Sequence, residues 1–93
     1  MDLLRFEWDA QKGVASYKKH GVAFEEAKSV FYDERARLIE DPDHSHGEDR
    51  YVLLGLSARF RILVVCHCYR GRRGVIRIIS ARRATGREAS SYP

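Results

Sequence analysis

Transfer chemistry at a phosphate needs a proton acceptor, a proton donor and fixed positive charge. One stretch of this chain gathers side chains of these kinds. RILVVCHCYRGRRGVIRIISARR (residues 61–83) carries His67, Tyr69 and seven arginines. Arg77 is the residue that raises a question. It interrupts VIRII, an apolar run that reads as a strand, and an unpaired guanidinium buried in a sheet costs several kcal/mol. It must therefore meet solvent, an anion or a carboxylate.

A hairpin symmetric about Arg72 would set His67 opposite Arg77 and Tyr69 opposite Val75, with Cβ atoms about 5 Å apart. Ile62, Val64, Cys66, Cys68, Ile76 and Ile78 would form the other face. That face is apolar throughout and is expected to pack on helices. The first face would then stand open, presenting an imidazole beside a guanidinium. Arg82 and Arg83 would follow on the same strand, and Arg59, Arg61 and Arg70 would lie near its rims. Such a surface could cleave RNA through its own 2′-hydroxyl, which needs a base for the hydroxyl, an acid for the leaving 5′-oxygen and cations for the charge on phosphorus. Tyr69, Tyr51 and Trp8 could stack unpaired bases. Each residue also has a plainer reading. His67 could be a hydrogen-bonded structural residue, Arg77 could pair with Glu7 or Glu40 of a neighbouring strand, and Tyr69 and Trp8 could be packing residues. Register decides between them, because a slip of one residue exchanges the two faces of a strand.

The distribution of charge favours a polyanionic partner. Residues 1–49 hold seven basic and twelve acidic side chains, whereas residues 50–93 hold ten basic and one acidic, within a net charge of +4. All ten cations of the second half are Arg, whose planar fork binds phosphate through two hydrogen bonds. The 93 residues suit a single domain, 1–93, with one modest core. No apolar run approaches the roughly 20 residues of a membrane span, and the N-terminus lacks the pattern of a signal peptide. Cys66 and Cys68, two apart on a strand, cannot easily bridge and read as reduced core residues of a cytoplasmic protein.

The elements that must position these groups follow from periodicity. LRFEW (4–8) alternates as a short edge strand. Asp9 reads as the N-cap of a helix running to about His20, with Gly21 as its left-handed cap. A second helix spans about 24–32, with Phe24, Ala27, Lys28 and Phe31 on one stripe, Glu25 and Glu26 favouring its N-terminal dipole, and Ala23 as a poor cap. Strands follow at 36–40, 51–56, 62–69 and 75–80, and the tail closes with one or two helical turns. The order β-α-α-β-β-β-β-α predicts an α+β domain: an antiparallel sheet of four to five strands with helices on one side.

FEWDAQKGVASYKKHGVAFEEAKSVFYD, DPDHSHGEDRYVLLGLS, RILVVCHCYR and IRIISARRAT, in that order, resemble the BrnT family of type II toxin–antitoxin toxins over nearly the whole chain. The resemblance implies a RelE-like fold and a metal-independent endoribonuclease with no cofactor, an mRNA interferase that inhibits translation and growth. It also implies silencing by a BrnA-type antitoxin with a ribbon-helix-helix DNA-binding part, so that operator DNA is met only through the antitoxin and RNA is met free or on the ribosome. By position, Lys19, His20, His67, Arg77 and Arg82 become the expected catalytic group, with Arg77 and Arg82 as phosphate clamps. Arg59, Arg61, Tyr69, Arg70 and Arg83 become the expected RNA-binding group. Two departures from the family pattern, Ser16 before KHG and Ala23 before FEEA, affect local helix stability. The antitoxin is expected to cover the basic face with acidic and apolar groups. A chain that keeps the toxin fold as a non-catalytic nucleic-acid or antitoxin binding module is the rival reading. The DPDHSHGED segment (41–49) has metal-ligand residue types without a metal-site spacing and reads as a turn-rich loop; the resemblance implies that it supports the sheet edge, with His44 and Glu48 held by backbone.

Overall fold

The computed structural model describes residues 4–40 and 50–93. The DPDHSHGED segment, and with it the readings of His44 and Glu48, lies outside the described residues. The elements run β1 (Phe6–Glu7), α1 (Ala10–His20), α2 (Phe24–Val30), β2 (Arg37–Ile39), β3 (Tyr51–Leu56), β4 (Ile62–Arg70), β5 (Val75–Arg83) and α3 (Gly86–Ala89), in the expected order. The caps are also as expected. Asp9 accepts from the Lys12 amide, Gly21 closes α1 with left-handed backbone, and Ala23 makes no side-chain cap. Thr85 and Glu88 form a reciprocal capping box on the single turn of α3.

The five strands lie in the order β1-β5-β4-β3-β2. The sheet is mixed, not antiparallel, because β1 pairs with β5 in parallel. Alternation of side chains has the same period beside a parallel or an antiparallel neighbour, so LRFEW could not reveal its direction. The helices also divide. α1 and α2 cover one face, while the chain after β5 crosses to the other.

The faces of β4 and β5 overturn the expected register. The loop holds four residues, Gly71 to Gly74, with both glycines at positive φ, the conformation that glycine adopts without steric cost. Arg70 therefore pairs with Val75, Tyr69 with Ile76, Cys68 with Arg77 and His67 with Ile78. A turn centred on Arg72 would have had odd length; the even loop shifts the pairing by one, and His67 and Arg77 fall on opposite faces. Between His67 and Cys66 the register shifts again, leaving Ile79 as the extra residue of a bulge.

The helix-covered face is consequently Leu63, Val65 and His67 of β4 with Ile78 and Ala81 of β5. These aliphatic residues are buried against Val22, Phe24, Ala27 and Val30. Cys66 and Cys68, expected on this side, lie on the other, partly exposed and unbridged. A Cβ on Gly55 would come within 2.7 Å of Val30 and 2.9 Å of Ala36, so its absence is what lets α2 lie close on β3. On the second face Val52, Leu54 and Val64 are buried against Ile39, Ile62, Ala84 and Tyr92. The Tyr92 hydroxyl donates to Asp33 Oδ2 at 2.7 Å and fastens the C-terminal segment there.

Candidate nucleic-acid interface

His67 is buried and not presented on an open face. It is 1% exposed, edge-on to Phe31 at 4.8 Å between ring centroids and roofed by Tyr51 and Tyr69 at 6.0 and 5.5 Å. Nδ1 lies 3.2 Å from the Val65 carbonyl oxygen. A carbonyl can only accept, so that nitrogen carries the proton. Burial lowers the ring's pKa and the carbonyl contact opposes this only in part, which keeps the imidazole neutral. Tyr69 is half exposed and packs on Tyr51 at 5.5 Å. Trp8 packs edge-on against Phe24 at the wall of a shallow apolar groove lined by Gly13, Val14 and Tyr17.

The expected phosphate clamps are held by carboxylates of the chain itself. Arg77 donates from Nη1 to Glu7 Oε2 at 2.8 Å, the pairing that the neighbouring-strand reading anticipated, and Arg70 Nε approaches the same oxygen at 3.6 Å. Arg82 grips both oxygens of Glu88 at 2.7 and 2.8 Å. Arg82 holds the Glu88 carboxyl well below its ordinary range, at about 2, aided by the Thr85 amide. Arg61 donates from Nε to Glu26 at 2.9 Å and from Nη2 to Glu26 Oε1 and the Gly21 carbonyl. Glu26 is buried and its pKa is lowered chiefly by Arg61. It is a core anchor and not only a favourable charge at a helix start.

The remaining expected residues gather at one end of the sheet. α1 runs alongside β5, with the Ser16 hydroxyl reaching the Ala81 carbonyl. Its C-terminus is tied to the start of β4 by the bond from Arg61 to Gly21. Lys19 and His20 therefore share an end with Arg83, which pairs with Leu63, and with Arg59 in the β3–β4 turn. Lys19, Arg59 and Arg83 are exposed and have no carboxylate partner among the described residues. The arrangement offers an imidazole, an ammonium and two guanidinium groups on one rim.

That rim includes a residue the sequence reading passed over. Phe60 is 85% exposed and is the one non-glycine among the described residues with positive φ, at 62°. The signal was the triplet Arg59-Phe60-Arg61, an aromatic between two cations in a turn. No group of three or more potential metal ligands gathers among the described residues, and no helix among them is long and apolar enough to cross a membrane.

A sequence model of the family described as "Ribonuclease toxin, BrnT, of type II toxin-antitoxin system" matches residues 8–88. The fold is similar to the 1.1 Å crystal structure of the Brucella abortus ribonuclease toxin BrnT, with a TM-score of 0.67 and 21% sequence identity over 89% of this chain and 99% of that one. No curated protein matches the chain.

Proposed function

The chain belongs to the BrnT family of ribonuclease toxins of type II toxin–antitoxin systems, and from that premise we propose that it cleaves RNA without a metal at the rim where α1 ends. Cleavage there would inhibit translation and growth until a BrnA-type antitoxin, with its ribbon-helix-helix part, covers the protein. A type II toxin has an antitoxin partner; in this reading the partner is of the BrnA type, and the toxin is RelE-like and acts on mRNA.

The observation that carries the choice of rim is the division of the cations. Arg61, Arg77 and Arg82 are each paired with a carboxylate, Glu26, Glu7 and Glu88, whereas Lys19, Arg59 and Arg83 are exposed and lack such ion pairs among the described residues. Phosphate oxygens compete poorly with a carboxylate already held at 2.7 Å. In this reading the His20 imidazole accepts the proton of the 2′-hydroxyl, which attacks phosphorus. The Lys19 ammonium protonates the departing 5′-oxygen, and a 2′,3′-cyclic phosphate remains. Arg83 and Arg59 balance the charge gathering on the phosphoryl oxygens. His67, Arg77 and Arg82 become framework.

The test is RNA cleavage by purified protein and growth on induction. His20→Ala and Lys19→Ala should each lower cleavage by at least about 100-fold with melting temperature unchanged, and chelation of divalent metal should leave the wild-type rate as it was. Arg77→Ala should retain cleavage. Full activity in both rim variants would remove the reading, and loss of activity on chelation would remove its metal-free part. The burial of His67 favours one rival, a binding module that keeps the fold without cleaving. That rival requires the wild type to cause neither growth arrest nor cleavage.

A further inference from the structure

Phe60 carries two costs at once. A non-glycine residue in left-handed backbone is strained, and its ring lies in water with no ring of the described residues against it. The turn beneath it is nevertheless tightly built. The Ser57 amide donates to the Arg61 carbonyl at 2.8 Å and the Phe60 amide to the Ser57 carbonyl at 2.9 Å. Ser57 Oγ accepts from the Arg59 and Arg61 amides and donates to Glu26 Oε2 at 2.7 Å. Ser29 Oγ accepts from the Ala58 amide at 2.8 Å. A buried carboxylate, two hydroxyls and a guanidinium thus fix a five-residue turn whose fourth residue carries an exposed aromatic ring.

A rigid, strained turn that ends in an unpartnered flat ring is what a planar ligand requires. The flanking charge identifies that ligand. Arg59 is exposed beside the ring, and Lys19 and Arg83 stand at the same end of the sheet. We propose that Phe60 is a stacking platform for one unpaired base of single-stranded RNA, with Arg59 on an adjacent phosphate. Stacking suits unpaired bases because every base has a π-face, and a fixed ring loses little freedom when a base settles on it. The inference rests on the reading that RNA is cut at this rim, and it adds a binding contact which that reading does not contain. The tyrosine patch differs, since Tyr51 and Tyr69 pack on each other and on His67.

The experiment measures binding of a short single-stranded 2′-O-methyl oligoribonucleotide, which cannot be cleaved, by fluorescence anisotropy over a range of salt concentrations. Phe60→Ala should weaken binding roughly 5- to 100-fold, Phe60→Trp should restore it, and Phe60→Leu should bind as weakly as Phe60→Ala. Melting temperature should not fall in any of them. Arg59→Ala should reduce the slope of log affinity against log salt by about 0.7, and Phe60→Ala should leave that slope alone. Equal affinity in Phe60→Ala, or full affinity in Phe60→Leu, overturns the proposal. So does a Phe60→Ala variant that binds the oligonucleotide normally and escapes the antitoxin, which would make the ring a protein-docking contact. If Phe60→Ala binds normally while His20→Ala loses cleavage, stacking alone fails. If Phe60→Ala binds weakly while His20→Ala cleaves at full rate, the cleavage site fails and stacking stands.

Discussion

The two turns that flank β4 reach left-handed backbone by opposite means. The β4–β5 loop places Gly71 and Gly74 at φ 73° and 65°, where glycine is free of steric penalty, and its internal bond is a single long one of 3.3 Å from the Gly74 amide to the Gly71 carbonyl. The β3–β4 turn places Phe60 at φ 62° and compensates with a network reaching into α2. The first turn is local chemistry that any hairpin could use. The second holds only because Glu26 and Ser29 reach it from α2. Strain that distant residues sustain marks a place where conformation matters more than stability.

The largest effect should come from removing the centre of that network. Glu26→Ala leaves the Arg61 guanidinium without its buried partner and the Ser57 hydroxyl without its acceptor. Breaking such a pair by deleting one member costs about 3–5 kcal/mol, which for a domain of this size lowers the melting temperature by well over 10 °C. Thermal unfolding by circular dichroism would read it. A loss below about 1 kcal/mol would mean that the turn holds itself and resembles the hairpin after all.

His67 gives an effect of intermediate size, and it separates framework from chemistry. Burial lowers its pKa in the fold. The unfolded chain therefore takes up a proton near pH 6.5 that the folded chain refuses, and stability falls as pH drops below that value, by up to about 1.4 kcal/mol per pH unit until the folded ring titrates. His67→Phe keeps an aromatic beside Phe31 and removes this contribution. The variant should lose less stability than wild type between pH 7 and 5, with stability at pH 7 changed by about 1 kcal/mol or less and RNA cleavage retained. Cleavage lost without loss of stability would return His67 to the catalytic group.

The contrast between the turns also explains what the sequence could reveal. Element order, the Asp9 and Gly21 caps and the missing cap at Ala23 were legible because each depends on a few neighbouring residues. The faces of β4 were not. They depend on whether the loop holds four or five residues, and RGRRG accommodates both until the φ angles of Gly71 and Gly74 are known. One residue of register moved His67 from an open surface to the core and set Arg77 beside Glu7. The parallel pairing of β1 was hidden for a related reason, since alternation carries no direction. Charge asymmetry was plain in composition, yet composition could not tell which arginines the chain neutralises itself. Glu26, Glu7 and Glu88 lie 35, 70 and 6 residues from their partners, and only the last separation is local. Lys19 and His20 are chain neighbours in KKHG, but their company with Arg59 and Arg83 is a product of the sheet.

The smallest effects, and the most direct comparison, come from exchanging the two strategies. Gly71→Ala puts a Cβ into left-handed backbone that has nothing within 4 Å to clash with, so the cost is conformational alone and should be about 1 kcal/mol. Phe60→Gly makes the opposite change. It relieves a positive φ and removes an exposed ring, while glycine adds freedom to the unfolded chain, and the balance should be a gain of about 0.5 kcal/mol. Both fall within reach of urea unfolding with the m-value checked for constancy. A stabilised Phe60→Gly that binds RNA poorly would show that the turn is strained for the sake of its ligand. A destabilised one would show that the ring serves the fold, and the two turns would then differ in chemistry without differing in purpose.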